Sequence, residues 1–184
     1  MPPIPRSLRR HQRAYTALEL LTSVSILAIA AALAVPSILS LRESSALTGR
    51  ANELLAQLQS ARQWAVQLQR PVLVLPAGDW DQGAIAVVDQ NGNQQADPDE
   101  RRLRATGPVD TAIRTLAPDL GANSGLRFRM DGSYAGNVTI NLLLCSNRYT
   151  LDGDETQSRR VRLSPSGRAE VLAGSGAYAG LCQS

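Results

Sequence analysis

Hydrophobic and polar positions divide the chain into three regimes. From Tyr15 to Val35 the 21 residues are largely apolar, and Glu19 is the only charged side chain among them. A run of that length can span a bilayer. An ionised carboxylate inside it costs roughly 2.5–3.5 kcal/mol on insertion scales, so Glu19 is expected to be a functional group with a partner. Further on, Leu47, Ala51, Leu54, Leu58, Ala61, Ala65 and Leu68 recur every three or four residues. Arg50, Glu53, Gln57 and Arg62 fall between them, the pattern of an amphipathic helix. If it is continuous from Tyr15 to about Gln69, the helix is roughly 80 Å long, and Pro71 ends it. Beyond it the period drops to two. Leu126, Phe128 and Met130 alternate with Arg127 and Arg129, and Val138, Ile140, Leu142 and Leu144 alternate with Thr139, Asn141 and Leu143. Gly132, Gly136, Gly153 and Pro165-Ser166-Gly167 supply turns. A helix stripe and a sheet face can cover each other, which predicts an α+β fold: a long N-terminal helix, transmembrane in its first half and amphipathic in its second, packed on an antiparallel β-sheet domain.

Arg6, Arg9, Arg10 and Arg13 precede the apolar run, and the positive-inside rule keeps them cytoplasmic. With Ala14-Tyr15-Thr16-Ala17-Leu18-Glu19-Leu20, this segment resembles the type III signal of type IV pilins and type II secretion pseudopilins. The resemblance implies cleavage by a prepilin peptidase between Ala14 and Tyr15, methylation of the new amino terminus, and a mature chain whose fifth residue is Glu19. It also implies that the amino terminus of an adjoining subunit neutralises Glu19, as a buried carboxylate requires, and that Pro36 kinks or melts the helix. Ala14 stands where the family usually has glycine, a departure expected to slow processing. The organisation read from these signals is a basic leader at 1–14, a transmembrane and assembly helix at 15–36, an amphipathic extension at 37–70 and a β-rich periplasmic domain at 71–184. The expected location is the inner membrane, single-pass, and then a pilus or pseudopilus fibre.

Two simpler readings compete. An ordinary secretory signal would use Ala32-Leu33-Ala34 as its small-x-small cleavage site, and an uncleaved anchor would fit the hydropathy. Neither accounts for Glu19 or for the amphipathic helix that follows.

Composition narrows the chemistry. His11 is the only histidine and lies in the leader, so the processed chain has no imidazole for general-base or zinc chemistry. All 19 basic residues are arginine, which removes Ser-Lys catalysis, and no enzyme is expected. The formal charge of +3 is misleading, because four arginines lie in the leader and all 16 acids lie after it, leaving a net charge of −1. Bulk electrostatics therefore gives no case for phosphate binding. Cys145 and Cys182 both fall in the C-terminal region. In the expected orientation they meet an oxidising compartment, where a disulfide is their expected use and two free thiols the alternative.

The C-terminal region also resembles the GspH/FimT-like minor pilins. The likeness rests on Gly83-Ala84-Ile85-Ala86-Val87-Val88-Asp89, Asn91-Gly92-Asn93, Asp97-Pro98-Asp99-Glu100, Met130-Asp131-Gly132, Leu144-Cys145 and Ser164-Pro165-Ser166-Gly167-Arg168, in that order. The resemblance implies a pilin-like fold and a structural or initiating subunit of a type IV pilus. Its partners would be other major and minor pilins or pseudopilins, prepilin peptidase, the inner-membrane assembly platform and membrane lipid. The alternatives are a minor pseudopilin of a type II secretion system and a pilus-tip subunit that binds DNA for natural transformation. Two local patterns bear on ligands. Asp89, Asn91, Asn93, Asp97 and Glu100 occupy positions 1, 3, 5, 9 and 12 of an EF-hand-like calcium loop, but position 6 is Gln94 where the loop needs glycine, and a polar hairpin loop is the competing reading. Arg159, Arg160, Arg162 and Arg168 gather near one hairpin, as a DNA-gripping surface would, but Asp152, Asp154 and Glu155 weaken the field and a solvated strand face is the favoured reading. In the G-R-x-R pattern of DNA-binding FimT-like pilins, Gly167-Arg168 matches the first half and Glu170 replaces the second arginine.

Overall fold

The computed structural model describes residues 16–108, 113–121, 124–146, 158–174 and 180–182, without the side chains of 33–40. Among the described residues one helix, α1 (Ala17–Leu68), is followed by eight strands: β1 (Val72–Ala77), β2 (Asp79–Val88), β3 (Arg102–Ala105), β4 (Ile113–Leu116), β5 (Leu126–Phe128), β6 (Ile140–Ser146), β7 (Ser158–Leu163) and β8 (Ala169–Ala173). A short 3-10 helix, Gly180–Cys182, closes the described chain. The chain forms two compact units, Met1–Leu41 and Arg42–Ser184.

In the second unit the helix stripe does what its spacing predicts. Leu47, Ala51, Leu54, Leu58, Ala61 and Ala65 are buried, while Leu68, the last of the series, is 36% exposed. They share one core with Val72, Val74, Ala84, Ala86, Leu126 and Phe128, and with Ile140, Leu142, Leu144, Val161 and Leu163. The helix stops at Leu68 because Gln69 takes a left-handed conformation (φ 50°), and Pro71 cannot continue the helical ladder.

The antiparallel β-sheet domain consists of two sheets, each four-stranded, in the orders β3-β2-β1-β5 and β4-β6-β7-β8. In the first, Val74 lies opposite both Ala86 and Leu126. Asp81 on β2 joins the sheets by accepting the Thr115 N–H of β4. Two expected strand positions lie outside their strands: Met130 follows β5 and is 50% exposed, and Val138 precedes β6 and is 62% exposed. Both belong to the connection around Gly132 and Gly136, where the chain turns instead of pairing.

The expected transmembrane half requires correction. Among the described residues no helix is long and apolar enough to cross a membrane. Glu19, Thr22, Ser23 and Ser25 interrupt the apolar run within its first turns. The single-pass inner-membrane location inferred from hydropathy is withdrawn with it. α1 runs through Pro36 without a break.

Candidate functional site

The N-terminal unit presents an apolar helix with an ordered start. Ala14 and Tyr15 lie outside the described residues. Thr16 caps the helix, its hydroxyl accepting the Glu19 N–H at 3.2 Å, and Thr16-x-x-Glu19 has the form of a capping box. Glu19 thus sits in the first turn, where the helix dipole favours a negative charge. The hydroxyls of Thr22 and Ser23 donate to the Glu19 carbonyl and that of Ser25 to the Leu21 carbonyl, turning this polarity back onto the helix backbone. The side chains left outward are Leu18, Leu20, Leu21, Val24, Ile26, Leu27 and Ile29, each more than half exposed. Isolated exposed apolar residues are ordinary, but a helix exposing a continuous apolar run marks an interaction surface.

The four arginines of the β7–β8 hairpin do not form one surface. Arg159 turns toward α1, with Nε 3.3 Å from the Thr48 hydroxyl and Nη2 3.1 Å from that of Ser44. Arg160 and Arg162 alternate with the buried Val161 and Leu163. Arg162 is paired with Glu170 directly across the strand, and Arg168 approaches the same carboxylate at 3.7 Å. The acid that breaks the G-R-x-R pattern is thus the partner of two of the candidate cations.

The loop between β2 and β3 is closed by its own carboxylates. Asp89 is buried, with Oδ2 3.1 Å from Arg127 Nε and Oδ1 accepting the Gly92 N–H at 2.8 Å. Asp97 accepts both the Asn91 and Asn93 amides at 2.7 Å. Glu100 is buried and accepts the Gln90 and Asp97 N–H groups. Asn91, Asn93 and Asp97 are brought together, whereas Asp89 is turned to Arg127. Among the described residues no group of three or more His, Cys, Asp or Glu side chains could hold a metal ion. Leu73 and Val87 lie on the sheet face opposite the core yet are buried. Arg127 is Leu73's neighbour on β5, and Asp89 holds this loop to it.

Three polar arrangements escaped the sequence pattern. Gln57 is fully buried: its amide donates to the Ala84 carbonyl at 3.0 Å and accepts from the Thr106 hydroxyl at 3.3 Å, tying α1 to the open side of the first sheet. Arg62 Nε donates to the Gly132 carbonyl at 3.0 Å, and a Cβ on Gly167 would lie 2.0 Å from that same oxygen. The Met130-Asp131-Gly132 and Pro165-Ser166-Gly167 turns are therefore packed on each other and on the helix, with Tyr134 N–H donating to the Pro165 carbonyl at 3.0 Å. Hydrogen bonds from the Ser133 hydroxyl and N–H hold Asp131 below the usual carboxylate range, and burial pushes the Tyr134 phenol up. The disulfide expected from the two cysteines is formed, joining Cys145 on β6 to Cys182.

A helix seated on two antiparallel sheets is the fold this chain shares with solved structures of a minor pilin and a minor pseudopilin. It is similar to the type IV minor pilin FimU of Pseudomonas aeruginosa, at 24% identity and a TM-score of 0.54 over 68% of this chain and 87% of that one. It is also similar to the minor pseudopilin EpsH of the Vibrio cholerae type 2 secretion system, at 13% identity and a TM-score of 0.50 over 69% of this chain and 96% of that one. A search of curated protein sequences gave no match. Residues 50–167 match the model of the type II transport protein GspH family, and the chain belongs to that family. Its members are structural, non-catalytic subunits, and the chain is not an enzyme.

Proposed function

We propose that the chain is a minor subunit of a type IV pilus or type II secretion pseudopilus, built into the fibre through the first half of α1. The observation that carries this reading is the continuous exposed apolar surface of residues 18–29, with Glu19 ordered at its start. An isolated helix with that surface is unstable in water until it is packed. Packing against neighbouring apolar helices removes the surface from water and leaves Glu19 in need of a cation, which the amino terminus of a neighbouring subunit supplies after prepilin peptidase cuts between Ala14 and Tyr15. The second unit, with its own core and disulfide, is the part displayed on the fibre. Its role is structural or initiating, and its partners are other pilins or pseudopilins, the peptidase and the assembly platform.

The test is Glu19→Ala in a strain that assembles the fibre. Incorporation into sheared or purified fibres is expected to fall at least tenfold while the cellular level of the chain is unchanged. Undiminished incorporation would overturn the role of Glu19. Loss of surface pili or loss of exoprotein export in a deletion strain distinguishes the two machines.

A further inference from the structure

The β2–β3 loop leads into an edge strand that carries Arg101, Arg102 and Arg104, all exposed. The acids immediately before them, Asp97, Asp99 and Glu100, are the obvious candidates to neutralise them; Asp97 and Glu100 are engaged elsewhere, and the exposed Asp99 makes no ion pair with them among the described residues. Asp97 is occupied by Asn91 and Asn93, and Glu100 is buried against backbone N–H groups. None of the three arginines has an ion-pair partner among the described residues, in contrast to Arg50, Arg127, Arg162 and Arg168, which all do.

The backbone beside them is open as well. β3 is the outer strand of its sheet, held to β2 by Val88 N–H donating to the Arg101 carbonyl and Thr106 N–H to that of Ala84. Alternation along an antiparallel pair then turns the N–H and carbonyl of Ala105 away from β2. Arg104 lies opposite Ala86 and Arg102 opposite Val87 across a bulge in the register, and it is this bulge that sets two side chains only two residues apart on opposite faces of the edge.

We propose that β3 is a docking edge for an extended acidic segment of a partner polypeptide, whose alternating carboxylates pair with Arg102 and Arg104 while Arg101 engages the end of the segment. Side chains of a strand alternate faces, which matches guanidinium groups that flank an edge. A second copy of this chain pairing β3 with β3 would set arginine against arginine and is disfavoured. A nucleic acid strand wants a continuous cationic groove with aromatic platforms, and Arg101-Arg102-Leu103-Arg104-Ala105 offers no aromatic side chain.

Fluorescence anisotropy of a labelled peptide of alternating Glu and Thr, titrated with the full chain, tests this against a Lys-Thr peptide and a single-stranded oligonucleotide. The Glu-Thr peptide is expected to bind, more weakly as salt rises, and the Lys-Thr peptide not to bind. Arg102→Glu with Arg104→Glu is expected to lower Glu-Thr binding at least tenfold and to create binding of the Lys-Thr peptide. Arg102→Ser with Arg104→Ser, which adds no new charge, should give the loss without the reversal. The inference is overturned if the Glu-Thr peptide does not bind, if both double variants bind it as the parent does, or if the oligonucleotide uses these arginines more tightly than the peptide. Because the readout is independent of fibre assembly, its failure leaves the role of Glu19 untouched.

Discussion

Asp89 and Arg127 form an ion pair, 3.1 Å between Oδ2 and Nε, with the Asp89 side chain fully buried and that of Arg127 29% exposed. The pair fastens the β2–β3 loop to β5. Asp89→Ala removes it together with the acceptor for the Gly92 N–H, and loss of one partner of a buried pair is expected to cost about 3 kcal/mol. Urea denaturation of the unit from Arg42 onward measures this. Calcium at millimolar concentration is expected to leave the parent's midpoint unchanged, because the loop carboxylates already have their donors.

Gly167 is constrained by shape. With φ at +76° and a Cβ that would meet the Gly132 carbonyl oxygen, Gly167→Ala is both strained and crowded. A loss of about 2 kcal/mol or more is expected. Gly49, beside which a Cβ meets nothing within 4 Å, is the control: Gly49→Ala in the helix interior is expected to stabilise by about 0.5–1 kcal/mol.

Gln57→Leu removes two hydrogen bonds from this buried cluster, while the Ala84 carbonyl keeps the Thr106 N–H and the Thr106 hydroxyl keeps that carbonyl as an acceptor. The expected cost is about 0.5–1.5 kcal/mol. Gln57→Glu should be worse, since a carboxylate has no amide to donate to Ala84, and chemical denaturation of both variants ranks them.

Asp131 links acidity to the Gly132 turn. Its pKa is depressed in the fold by Ser133, so its stabilising contribution is present above the ordinary value of 3.8 and is lost as the pH falls through the lower folded value. The Asp131 carboxyl should titrate below 3.8 by NMR, and Asp131→Asn or Ser133→Ala should each flatten the acid limb of the stability profile.

Cys145 and Cys182 are 37 residues apart, and closing a loop of that size stabilises by about 4 kcal/mol on the chain-entropy model. Replacing both by serine is expected to lower the unfolding free energy by up to that amount. An unchanged midpoint would show that the C-terminal tail contributes nothing.

The regular parts of the fold were legible because burial obeys periodicity. The series from Leu47 to Ala65 and the alternation through Ile140, Leu142 and Leu144 all face the core, and Gly132 and Gly167 mark turns with positive φ, while Gly153 lies outside the described residues. What stayed hidden depends on side chains meeting across long separations. Gln57 looked like one of the polar residues between stripe positions and is buried, because Thr106, 49 residues on, completes its bonding. The EF-hand spacing is genuine as a pattern, but Arg127 takes Asp89 out of it. Four clustered arginines read as one cationic surface, until strand alternation sends Arg159 to the helix and Glu170 pairs with Arg162. Hydropathy alone suggested a membrane crossing that the described helix does not provide.

The proposed assembly role of α1 rests on removal of the leader before Tyr15 by prepilin peptidase. Its most direct test is the intact mass and N-terminal sequence of the protein from a strain with the peptidase and from one without it. A mature chain beginning at methylated Tyr15, seen only with the peptidase, is the expected result. A chain beginning at Val35, or one unprocessed in both strains, would contradict the account and remove the role assigned to Glu19.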